Sequence, residues 1–189
     1  MLKYGPNGNL LDAISLSAAP FMLLYDIHIT DCGSVYLSGG VMGTSLFVGD
    51  TSYHDSTLAD DLFTTTSAVV IKLGTGFNLE WIGKYKLQGI SAFRTLVSDS
   101  NGNAYASGFY GASLDLSEVI LDGKGKAALC KFDSSGTLLK AQTSTTISSY
   151  SGLAFTPDGK LAASGMGGIV SLSGYVLPKI ENTSAFHAL

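Results

Sequence analysis

Charge is what this sequence has least of. Only 14% of its residues are Asp, Glu, Lys or Arg, against about 25% in an ordinary soluble domain. The net charge is −4, and the lysines and arginines stand singly along the chain. Phosphate binding needs a cationic patch, so nucleic acid is not an expected partner. Prolines number 4 and cysteines 2. Two thiols build no disulfide framework, and the spacing of Cys32 and Cys130 matches no metal signature. Both read as small apolar residues buried in strands. Long apolar runs are missing as well. The longest, AAPFMLLY from Ala18 to Tyr25, falls far short of a bilayer span, so membrane insertion is not expected. The opening residues MLKYGPNGNLLD lack the basic-then-apolar layout of a signal peptide. No stretch keeps a 3.6-residue apolar period, which leaves almost no room for helix.

What is present is glycine, at 23 of 189 residues, with Ser and Thr at most polar positions. That is the profile of one all-β domain with many tight turns. Two motifs recur in it. GSVYLSG (Gly33 to Gly39), GNAYASG (Gly102 to Gly108) and GKLAASG (Gly159 to Gly165) share a glycine, an apolar-alternating stretch and a closing Ser-Gly. Asp31, Asn101 and Asp158 stand just before them. The second motif follows Lys3, Lys72 and Lys131, as KYGPNGNLL, KLGTGFNLE and KFDSSGTLL. The Ser-Gly motifs lie 69 and 57 residues apart and the lysines 69 and 59. Each motif is a hairpin in which a Gly/Asn/Asp turn joins two alternating strands. VVIKL before NLEWIGKY, and ALCKF before TLLKAQT, are the plainest cases. Two hairpins per period make four short strands, the signature of a propeller blade.

The series D-x-x-G-N-x-Y-x-S-G-x-x-G followed by K-Y/F-D-x-x-G-N-L-L, matched best by DSNGNAYASGFYG and KFDSSGTLLKAQT, resembles the bacterial SBBP-type β-propeller repeat. LAFTPDGKLAASG (Leu153 to Gly165) is also similar to the strand pair of WD-repeat-like propellers. The resemblance spans nearly the whole chain. It implies three four-stranded blades, over about 3–71, 72–130 and 131–189, and a binding or spacer role in a secreted or surface-attached bacterial protein. Cys32 and Ser34 depart from the pattern, near a turn where Gly or Asn is usual. Three blades fall short of the roughly four to eight that close a ring. Two expectations follow. Either two copies of the chain close a six-bladed ring through their blade edges, or these blades are part of a longer chain of repeats.

Asp99, Asn101 and Asn103 hold the first, third and fifth places of a calcium-type loop, which makes them candidate metal ligands. The twelfth place, where a bidentate acid belongs, is Tyr110, and turn chemistry alone accounts for the rest. The first period carries an insertion near Gly49 to Phe63, with Asp50, His54, Asp55, Asp60 and Asp61. Insertions project from one face of a repeat fold, so these five form the candidate recognition loop; His plus carboxylates also suit a divalent metal. There is no G-x-S-x-G elbow, and the strand interiors are nearly free of acids. His28 reads as a core or strand-surface residue, His187 as part of a late strand, and Trp81 as packing between blades. No cofactor and no catalytic set is expected. The function expected is a non-catalytic module acting through protein or glycan contacts, extracellular or on the cell surface. A virion or appendage component, and a glycan hydrolase acting at a propeller channel, are the alternatives.

Overall fold

The computed structural model describes residues 1–54, 66–88, 91–111, 113–115, 120–122, 126–167, 171–172, 175–176 and 185–188. The described residues are β-strands and their turns, and all the pairings are antiparallel. In chain order the strands are β1 (Leu2–Tyr4), β2 (Leu10–Ala13), β3 (Leu16–Ile29), β4 (Val35–Val48), β5 (Thr51–His54) and β6 (Ser67–Leu73). Then come β7 (Leu79–Gln88), β8 (Ala92–Ser98), β9 (Ala104–Tyr110), β10 (Ser113–Asp115), β11 (Ile120–Asp122) and β12 (Lys126–Phe132). The last are β13 (Leu138–Phe155), β14 (Leu161–Gly167), β15 (Ser171–Leu172), β16 (Tyr175–Val176) and β17 (Ala185–Ala188).

The strands join into a seven-stranded and a six-stranded sheet with two separate pairs, not into separate four-stranded sheets. The first large sheet runs β11-β10-β7-β6-β4-β3, with β5 beside β4. The second runs β17-β14-β13-β12-β9-β8. The expected short strands are also merged. β13 is 18 residues long, pairing with β12 through its first half and with β14 through its second. The reason is local: its middle, QTSTTISSY, has β-branched residues and neither Gly nor Pro, so nothing breaks the extended chain. Within these sheets are two runs of neighbouring antiparallel strands, β3-β4-β6-β7 and β8-β9-β12-β13, here called the first and second layers. The second half of β13 with β14 and β17 forms a third.

Six of the turns are built alike. In each, the first residue's carbonyl accepts the N–H of the residue three on, and its own N–H donates to the carbonyl four on. The first residues are Gly5, Thr30, Gly74, Asp99, Asp133 and Thr156. This is the three-residue hairpin loop, which needs a positive φ at its fourth residue. Glycine supplies it five times, at Gly8, Gly33, Gly102, Gly136 and Gly159, and Phe77 the sixth. In an antiparallel meander alternate turns share one end. Contacts across layers put all six turns at the same end: Lys3 to Thr75, Tyr36 to Gly102, Trp81 to Ser134, and Tyr105 against Phe155.

The Ser-Gly dipeptides mark a second recurring device. Ser38-Gly39 faces a bulge between Leu24 and Asp26, Ser107-Gly108 one between Phe93 and Thr95, and Ser164-Gly165 one between Tyr150 and Gly152. A Cβ on Gly39 would fall on the carbonyl oxygen of Leu23, on Gly108 on that of Ala92, and on Gly165 on that of Ser149. Only glycine leaves room for the bulged strand. The extra residues of the three bulges, Tyr25, Arg94 and Ser151, are exposed.

The layers are held face to face by apolar side chains. Tyr36, Ala68, Val70 and Tyr85 of the first layer pack on Phe93, Ala106, Cys130 and Phe132 of the second. Tyr85 stacks on Phe132 at 5.2 Å, with Phe93 edge-on to both. The other face of the first layer buries Leu37, Val69, Ile71 and Leu73 under Met1 and Ile14. The second layer's far face buries Ala127 with Tyr150 and Ala163. β6 and β12 are thus covered on both sides, which is why SAVVIKL and KAALCKF are apolar almost throughout.

Candidate functional site

Between the Thr30–Ser34 and Asp99–Asn103 turns lies a cleft of about 330 Å³, lined by His28, Asp31, Cys32, Ser98, Asp99 and Ser100. Its size is that of a small-ligand site.

Asp99, Asn101 and Asn103 do come together, and as a turn. Asp99 Oδ1 accepts the N–H groups of Asn101 (3.0 Å) and Asn103 (2.9 Å), and Oδ2 accepts Asn103 Nδ2 (2.8 Å) and the Tyr105 hydroxyl (3.2 Å). Burial pushes its pKa up, but these donors outweigh that, the Asn103 side chain foremost, and hold it below the usual aspartate value. Asp133 does the same with Ser135 and Thr137. In two other turns a threonine replaces the aspartate: Thr30 Oγ1 accepts from Ser34 N–H and Thr156 Oγ1 from Lys160 N–H. Among the described residues no three His, Cys, Asp or Glu side chains are placed to share a metal ion.

The recognition loop is described only in part. Asp50 and His54 are exposed, on the β4–β5 hairpin, with His54 Nδ1 3.2 Å from Ser45 Oγ. Asp55, Asp60 and Asp61 lie outside the described residues. His28 is half-buried at the cleft wall, where desolvation lowers its pKa against the opposing pull of Asp26 and Asp31. His187 is on β17, with its side chain outside the described residues. Trp81 bridges layers, its Nε1–H donating to the Ser134 carbonyl at 3.0 Å and its ring standing edge-on to Tyr36 at 6.1 Å.

Cys32 departs from the reading of both cysteines as buried. Cys130 is buried in β12, where desolvation pushes its thiol up; Cys32 is exposed in a turn. Hydrogen bonds from the Thr30 hydroxyl first, then from the Ser34 backbone and hydroxyl, bring its pKa down to about 7. The signal was there to read: in TDCGS, Cys32 lies between the turn's threonine and its positive-φ Gly33. A residue at that place points to solvent.

The lysine motif acquires a purpose here. Lys72 pairs across the ladder with Tyr36 and Lys131 with Tyr105, and each ammonium lies over its partner's ring, at 5.5 and 5.0 Å. Lys3 and Lys72 also reach one layer forward, donating to the carbonyls of Thr75 (3.3 Å) and Ser134 (3.2 Å), the same place in successive turns. No protein-family model and no curated protein matches this chain.

Proposed function

We propose that this chain is a propeller-type repeat module of a bacterial surface or secreted assembly, non-catalytic, that engages protein or glycan at its turn end. The observation that supports it most is recurrence at matched places. The same turn, the same bulge opposite Ser-Gly and the same lysine over tyrosine return in successive layers. Each layer is then a blade, with β3, β8 and the second half of β13 innermost and Tyr25, Arg94 and Ser151 along the axis. The Arg94 guanidinium over the Tyr25 ring, at 5.5 Å, fits neighbouring inner strands.

The turn carboxylates described above are engaged in their own turns, which suits a binding face better than an acid–base pair. The cleft supplies hydroxyls and the Asp31 carboxylate to a polyol or a peptide. The test is a glycan array probed with the purified chain, alongside a hydrolysis assay on the same glycans. Saturable binding, weakened about tenfold by Asp31→Ala with Ser100→Ala, is expected without turnover. Turnover of any bound glycan would contradict the non-catalytic reading.

A further inference from the structure

We propose that the outward face of the β1–β2 hairpin is a docking face for a second copy of this chain, whose second layer covers it. The proposal rests on the propeller reading and names its partner. β1 and β2 pair as Lys3↔Asp12 and Tyr4↔Leu10, with a register shift between Lys3 and Tyr4. β6 and β7 pair as Lys72↔Trp81 and Leu73↔Leu79, and β12 and β13 as Lys131↔Lys140 and Phe132↔Leu138, with the shift at the same place. Leu2, Tyr4 and Leu10 therefore hold the positions of Ile71, Leu73 and Leu79, and of Cys130, Phe132 and Leu138. Ile71, Leu73, Cys130 and Phe132 are each 0% exposed, buried against the layer before them. Leu2, Tyr4 and Leu10 are 56%, 57% and 54% exposed. Three large apolar groups at positions that are core elsewhere form an interface half.

The covering surface is legible from the interface already present. Cys130 and Phe132 lie in one core with Tyr36, Ala68 and Val70 of the first layer. One layer on, those positions are Tyr105, Ala127 and Leu129. The lysine series agrees. Lys3 reaches the turn carbonyl of Thr75 and Lys72 that of Ser134; the matching partner for Lys131 is the carbonyl of Pro6 in the hairpin of the second copy. The third layer has the matching edge. β14 and β17 pair as Ser164↔His187 and Gly165↔Phe186, the register of Ser38↔Val70 and Gly39↔Val69. β17 thus stands where the start of β6 stands in the first layer, and the β1–β2 hairpin of the second copy carries that sheet on, with β1 at the place of the end of β6 and β2 at the place of β7. Pairing also covers an edge that would otherwise invite aggregation. Two equal contacts about a two-fold axis join two chains of three blades into one ring.

The test is the solution mass of the 189-residue chain at tens of micromolar, by size exclusion with light scattering, with circular dichroism and Trp81 emission reporting the fold. Twice the chain mass is expected. Leu2→Glu with Tyr4→Glu, on side chains already exposed, is expected to give a folded monomer, and Lys131→Ala to weaken association about tenfold. A folded wild-type monomer, or a dimer indifferent to Leu2→Glu with Tyr4→Glu, overturns the second copy as occupant and leaves the propeller reading standing. A chain that lacks a cooperative β-sheet transition overturns both.

Discussion

Gly108 shows how a single residue is fixed by its surroundings. Its missing Cβ is the space into which the Ala92 carbonyl projects. Gly108→Ala must push the bulged strand aside, at a cost of about 1–3 kcal/mol by the usual scale for overpacking. Gly159, unlike Gly108, has a positive φ, but nothing lies within 4 Å of its would-be Cβ. Gly159→Ala therefore carries only backbone strain, about 1 kcal/mol. Urea denaturation of the two variants should rank them in that order; equal losses would mean the bulge yields freely. Asp99 gives a pH dependence. Its folded pKa is depressed, so its stabilising share is fully present above the ordinary aspartate value and is lost as pH falls through the folded value. Asp99→Ala should flatten the acid limb of the stability curve, and an unchanged limb would contradict the turn network. For Cys32, alkylation followed by mass spectrometry should show a rate midpoint near pH 7, moving upward in Thr30→Val, with Cys130 unlabelled in the folded protein. A midpoint near 9, the ordinary thiol value, would remove the Thr30 and Ser34 hydrogen bonds from the account.

At the scale of elements, the hairpins could be read from the sequence because their causes are local. Alternation gives the strands, and a glycine three residues after Gly, Asp or Thr gives the turn, as between β12 and β13 or between β8 and β9. Phe77 is harder to see, since an aromatic at a φ of 59° breaks the rule that glycine announces. It persists because its ring is buried with Leu73 and Val35. Phe77→Gly relieves about 1 kcal/mol of strain and loses about 3 kcal/mol of packing, so a net loss near 2 kcal/mol is expected in the same urea assay. The 18-residue run of β13 was legible in part, since QTSTTISSY has neither Gly nor Pro to break it, but which strand each half of it pairs with was not. The joining of β10 to β7 could not be read, because it depends on which sheet a strand edge meets, and that is decided by distant partners such as Gln88 opposite Ser113. The candidate site was half legible for the same reason. The Asp99 turn is local, whereas the cleft it shares with Cys32 comes from two layers meeting.

At the scale of the molecule, the layers follow one another in a single direction, with Lys3 and Lys72 each reaching forward to the next turn and β6 and β12 covered from behind. The proposed arrangement sets these layers as blades around an axis. A crystal structure of the purified chain tests it most directly. The account predicts Tyr25, Arg94 and Ser151 facing one common axis, with the turn ends of all layers on one side of it. Layers stacked as a flat sandwich, with those three residues pointing away from any shared axis, would contradict it.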